Sequence, residues 1–141
     1  VPEILQPRRQ VRLLVVEHNS FFPDVSSFDD LTSSNGSIGN LRVRVAEDFD
    51  EAVALVRSWS PDVIMFDVYT NVAHSFELIE RWRDSAYLVV TSEKHCNDLE
   101  ARAFKAGAHQ FLIKPLTVEE VDTFLNDLVV FLPNQNNQII N

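Results

Sequence analysis

Glu17, His18, Asp67, Thr91 and Lys114 are scattered over almost a hundred positions, yet each has a side chain that can hold a cation or handle a transferable group. Asp67 is the place to begin. It ends the run Pro61-Asp-Val-Ile-Met-Phe-Asp67, whose four apolar residues Val63 to Phe66 read as a central parallel strand covered on both faces. An acid at the end of such a strand is rarely there for packing. Open α/β sheets place their chemistry at the carboxyl ends of their strands, and a carboxylate there can accept a metal, a proton or a phosphoryl group. Taken singly, each residue also has an ordinary reading. A Thr after a strand is usually a turn residue, a Lys-Pro pair is usually a loop, and Asp67 alone could cap a helix.

The elements that must position these residues alternate strand and helix. Val11 to Val16 is an apolar strand, and Phe21, Val25, Phe28 and Leu31 then recur at helical spacing, with Pro23 tolerable in a first turn. Residues Thr32 to Asn40, with an Asn35-Gly36 pair, read as a loop, and Leu41 to Val45 as an outer strand. Asp48 with Glu51 resembles a capping box for a helix through Trp59. After the Asp67 strand come a helix from Ser75 to Arg83, a strand from Tyr87 to Val90, and a helix from Asn97 to Ala106 stopped by Gly107. Phe111 to Ile113 is a fifth strand, and Thr117 with Glu120 caps a last helix reaching Leu132. Such alternation implies a parallel sheet with right-handed crossovers. Glu17 and His18 follow strand one, Asp67 ends strand three, Thr91 and Ser92 follow strand four, and Lys114-Pro115 follows strand five. All of them therefore share one edge of the sheet.

At 141 residues the chain suffices for one domain. We expect an N-terminal arm over 1–10, a domain over 11–132 and a polar tail or linker over 133–141. A first residue of Val1 in place of Met suggests a piece of a longer protein. With 45% hydrophobic and 23% charged residues the balance is that of a folded globule and not of a disordered chain. A net charge of -9 argues against direct nucleic-acid binding, since phosphate contacts need Lys and Arg. Cys96 is the only cysteine, which excludes an internal disulfide and a Cys-rich zinc site and fits a reducing cytoplasm. The apolar runs are far shorter than the ~18–20 residues of a membrane span, so no membrane association is expected.

Over Val11 to Leu132 the chain resembles the receiver domain of two-component response regulators. The stretches that carry the resemblance are Leu14-Val-Val-Glu17, Pro61-Asp-Val-Ile-Met-Phe-Asp-Val68, Val89-Val-Thr-Ser92 and Phe104-Lys-Ala-Gly-Ala-His-Gln-Phe-Leu-Ile-Lys-Pro-Leu116, the last being the most specific. The resemblance implies a flavodoxin-like, doubly wound five-stranded parallel sheet in the order 2-1-3-4-5, flanked by five helices. It implies that Asp67 accepts a phosphoryl group from a histidine kinase or phosphotransfer protein. Lys114 would supply a cation and Thr91 a hydroxyl to the phosphoryl oxygens. Mg²⁺ would be held by Glu17, Asp67 and the backbone carbonyl of Tyr69. Phe111 would be the switch aromatic that moves with Thr91, and Pro115 would aim Lys114 inward.

At the site itself the sequence departs from the family. Receivers follow strand one with two adjacent acids, and His18 takes the place of the second, a poor partner for a hard cation. The turn after Asp67 reads Tyr69-Thr-Asn-Val-Ala73 where Met-Pro-Gly is usual. Two functions therefore fit the sequence: a phosphorylatable receiver, and a pseudo-receiver that serves as a phosphorylation-independent binding adaptor. His74, His95 and His109 fall outside the inferred crevice and read as solvated surface residues, while Glu47 and Asp48 read as a helix cap.

The last helix suggests a partner. Val118, Val121, Leu125, Leu128 and Leu132 recur at core spacing, and Phe124, Val129, Val130 and Phe131 widen the apolar surface beyond one stripe. Its charges, Glu119, Glu120, Asp122 and Asp127, include no base. Either this surface meets a second copy or an adjoining output domain, or the helix end is buried in its own core.

Overall fold

The unbroken apolar run Val63 to Phe66 is buried at every position, and its side chains alternate between two cores. The computed structural model describes residues 9–17, 38–68, 72–114 and 116–131. Five strands, β1 (Arg9–Val16), β2 (Ile38–Ala46), β3 (Val63–Asp67), β4 (Tyr87–Ser92) and β5 (Gln110–Ile113), form one parallel sheet in the order β2-β1-β3-β4-β5. Four helices are described: α1 (Phe49–Trp59), α2 (Val72–Trp82), α3 (Asn97–Ala106) and α4 (Val118–Phe131). The helix expected over Phe21 to Leu31 lies outside the described residues, which accounts for four helices in place of five.

The buried strand side chains alternate between the two faces of the sheet. Leu14, Val16, Ile64, Phe66, Leu88 and Val90 meet Phe49 and Ala52 of α1, Leu78, Ile79 and Trp82 of α2, and Ala103 and Ala106 of α3. On the opposite face Leu13, Val15, Val63, Met65 and Val89 meet Val121, Phe124, Leu125 and Leu128 of α4. Phe124 is thus wholly inside the chain's own core, and Phe131 packs against the same cluster. Two of the four residues that widened the expected contact surface, Phe124 and Phe131, thus pack internally, whereas the side chains of Val129, Val130 and Val118, and all of Leu132, lie outside those described.

The helix ends follow their local chemistry. Asp48, extended at φ -147°, accepts the Glu51 N–H at 2.8 Å, and Glu51 reaches back to the Glu47 N–H at 2.8 Å. That is the cap expected of Glu47 and Asp48. Thr117 and Glu120 form a reciprocal box at the start of α4, each accepting the other's backbone N–H at 3.0 Å. α3 stops at Gly107, whose φ of 125° no L side chain tolerates easily.

Several boundaries differ from the expected ones: β1 begins at Arg9, inside the expected N-terminal arm, β4 runs on through Thr91 and Ser92, and β5 begins at Gln110. β2 begins at Ile38, not Leu41, so the expected loop ends earlier. Pairing with β1 passes from Arg9↔Ile38 to Gln10↔Asn40, leaving Gly39 as the extra residue of a bulge, a common use of glycine in a strand. α2 begins at Val72, three residues before Ser75.

Candidate functional site

Strand register lines up the polar residues. Val16 pairs with Phe66, so Glu17, the next residue, stands level with Asp67 at the carboxyl edge of the sheet. Asp67 pairs with Thr91 on its other side. Lys114 directly follows β5, and its N–H donates to the Ser92 carbonyl at 2.8 Å, which extends the β4–β5 ladder by one step. Four strand ends thus present their side chains in a row.

At the centre of the row is the Lys114 ammonium. It donates to Asp67 Oδ2 at 2.9 Å and to Glu17 Oε1. The side chains of Glu17 and Lys114 are only 3% and 9% exposed, and Asp67, at 17%, is the most open to a reagent from outside. Burial pushes the Glu17 carboxyl above its ordinary value, against the lowering effect of Lys114, while Asp67 and Glu93 add to the rise. Burial works to lower the Lys114 ammonium, but hydrogen bonds to Glu17 and Asp67 outweigh it and leave the group raised. Two carboxylates share one cation, so the cluster retains an excess of negative charge when all three groups are ionised.

Thr91 is buried, and its hydroxyl donates to the Phe66 carbonyl at 2.9 Å, one residue before Asp67. Phe111 is half-buried and packs against the core beneath α1 to α3. Ser92 is buried too, and its hydroxyl both donates to the Lys94 carbonyl at 2.6 Å and accepts the Lys94 N–H at 3.2 Å, which shapes the loop leaving β4. His18, Tyr69 and Pro115 lie outside the described residues.

Glu17 Oε2 is buried with no hydrogen-bond partner among the described residues. A hard oxygen donor in that state is costly unless a proton or cation attends it, so the donor set fits a hard divalent ion. Among the described residues, no group of three or more His, Cys, Asp or Glu side chains gathers around a common point. Among the described residues, Glu17 and Asp67 are the side chains that could hold such an ion.

The three histidines expected on the surface divide. His95 is 61% exposed beside Glu100, and His74 is partly exposed with its ring edge-on to Phe49. His109 departs from expectation: it is half-buried between aromatic rings and hydrogen-bonded to the backbone. The Glu17–Lys114 contact was also not legible, because it joins residues 97 positions apart.

Known structures share this architecture. A response regulator from Thermotoga maritima superposes with a TM-score of 0.71 at 22% identity, over 86% of this chain and 98% of that one. The signal receiver domain of the putative response regulator NarL from Mycobacterium tuberculosis gives 0.67 at 22% identity, over 86% and 96%. NtrX from Brucella abortus, solved in complex with ADP, gives 0.69 at 16% identity over 93% of this chain, which spans only 29% of that protein. At such identities the likeness speaks to the fold. No curated protein matches the chain in sequence. No helix among the described residues is long and apolar enough to cross a membrane. The family model for the response regulator receiver domain matches residues 31–126, a stretch that includes Asp67, Thr91 and Lys114 and leaves Glu17 to be placed by geometry alone. With well over half its length matched, the chain belongs to the response regulator receiver domain family.

Proposed function

We propose that Asp67 accepts a phosphoryl group from a histidine kinase or phosphotransfer protein and that the resulting charge switches a binding surface for a partner or output domain. The observation that carries this reading is the Lys114 ammonium shared between Asp67 and Glu17, with Asp67 the most accessible of the three. A carboxylate oxygen of Asp67 attacks phosphorus in line, the bond from phosphorus to the donor's imidazole nitrogen breaks, and its electron pair returns to that nitrogen. An acyl phosphate remains on Asp67. The reaction demands positioning and charge neutralisation more than covalent help from the protein.

Lys114 is already within hydrogen-bonding distance of the acceptor, so its ammonium supplies positive charge where the phosphoryl oxygens arrive. Thr91 stands level with Asp67, and a turn of its hydroxyl away from the Phe66 carbonyl offers those oxygens a donor. Phe111 is next to Thr91 in the β4–β5 ladder, paired with Val90, and would follow that movement. Glu17, Asp67 and the Tyr69 carbonyl would hold Mg²⁺, whose chemistry is to neutralise charge on the acceptor and the phosphoryl oxygens.

A second reading rests on His18. It stands where receivers carry a second acid, which removes one oxygen ligand and one negative charge from the cation site. In that reading Lys114 serves permanently as the counter-ion of Glu17 and Asp67, and the domain is an adaptor that signals without phosphate.

Intact mass after incubation with acetyl phosphate and Mg²⁺ separates the two. The phosphorylation reading expects a gain of one phosphoryl group in wild type and none in Asp67→Asn. An unchanged wild-type mass under conditions that label another receiver would leave the adaptor reading standing.

A further inference from the structure

We propose that His109 is a proton-operated latch that fastens the C-terminal turn of α4 to the sheet. The latch lies at the amino edge of the sheet, where β4 starts and β5 is about to start, and so at the opposite end of the strands from Asp67. His109 and Leu88 are doubly linked: the His109 N–H donates to the Leu88 carbonyl at 2.8 Å, and the Leu88 N–H donates to His109 Nδ1 at 3.0 Å. The imidazole thus completes the β4 ladder one residue before β5 can. Its ring stacks on Tyr87, with centroids 4.8 Å apart and planes at 20°, and meets Phe131 edge-on at 4.7 Å and 72°. Tyr87 and Phe131 touch as well, at 5.6 Å. Three mutually packed rings therefore tie β4, the entry to β5 and the last described residue of α4, from which residues 132–141 continue.

Only the neutral ring can do this. Nδ1 must offer a lone pair to the Leu88 N–H, which places the ring proton on Nε2. A second proton on Nδ1 would set two N–H donors against each other, and the ring would have to turn or leave, removing the face against which Phe131 packs. Several ionisable groups sit on the elements around it. Asp84, in the turn after α2, favours the charged ring, and Arg83 beside it packs at Gly107. On β4, Tyr87 is joined through the Gln110 amide to Asp127 of α4. Lys105 lies in the last turn of α3. Burial outweighs Asp84 and holds His109 below its ordinary value of 6.5. A folded-state value below the unfolded one means that the latch contributes fully above the unfolded value and is lost as pH falls through the folded one.

The test is backbone hydrogen exchange on the intact chain at several pH values from neutral to about 5, corrected for intrinsic rates. The protonation of His109 is followed by NMR on the same samples. Protection at Leu88 and at the amides of the last turn of α4 should fall about two- to tenfold, the weight of one net hydrogen bond, in step with the His109 titration. In His109→Gln, whose side-chain carbonyl can accept the Leu88 N–H at any pH, that dependence should vanish. Unchanged protection in wild type while His109 titrates would overturn the latch. So would an equal loss in His109→Gln, which would assign the effect to another group. If that variant does not fold, the wild-type titration alone decides, through whether the two midpoints coincide.

Discussion

Removing the Lys114 ammonium strands Glu17, 3% exposed, with a charge that has lost its direct partner. Lys114→Met should therefore cost about 3 kcal/mol near neutral pH, the low end for breaking a buried pair because Asp67 keeps some contact with water. Urea midpoints near neutrality and at about pH 5 check this. The gap should narrow on the acid side, since burial already raises the Glu17 carboxyl and a proton can then replace the missing ammonium. In wild type, the raised Lys114 group contributes fully below its unfolded value of 10.5 and loses that contribution as pH rises through the folded value. The charged, buried Glu17 acts with the same slope at lower pH, its cost appearing as pH rises above 4.5. The placing of Asp67, Thr91 and Lys114 at one edge of the sheet was legible because each lies at a strand end, which hydrophobic runs reveal. The direct Glu17–Lys114 bond and the half-burial of His109 were not. Both depend on residues distant in sequence that only the sheet register and the course of α4 bring together.

The elements were legible where local chemistry marks their ends. α1, α3 and α4 begin or stop at Asp48, Gly107 and Thr117 for reasons visible within four residues. The start of β2 was misplaced because Gly39 sits in a bulge, and a bulge depends on the partner strand rather than on local sequence. Among these ends Gly107 is the most demanding. At φ 125°, a Cβ built there would lie 2.6 to 2.7 Å from Arg83 side-chain carbons, including the Arg83 Cβ, which cannot swing away. Gly107→Ala should lower stability by more than about 1 kcal/mol, read from the urea midpoint. The last helix, whose wide apolar surface fitted either a partner or its own core, uses Phe124 and Phe131 in its own packing, so substituting either would report on folding before it reported on a partner.

Taken whole, the molecule is an acidic domain whose architecture is shared with receiver domains of known structure at low identity. The net charge of -9 adds a general attraction for divalent cations, but the ligand set decides affinity. Replacing His18 by Asp should tighten Mg²⁺ binding on the order of tenfold in a calorimetric titration, because a carboxylate oxygen would join Glu17 and Asp67. Equal affinities would mean that residue 18 does not face the cation. In the proposed function Asp67, and no other nucleophile in the chain, takes the phosphoryl group. An acyl phosphate is reduced by borohydride to an alcohol, so reduction after acetyl phosphate and Mg²⁺ treatment, followed by peptide mass mapping, identifies the acceptor. One modified residue is expected, Asp67, in the peptide that contains β3, with Lys114→Met sharply reducing the yield. A modification at a histidine or at Glu17, with Asp67 unaltered, would contradict it.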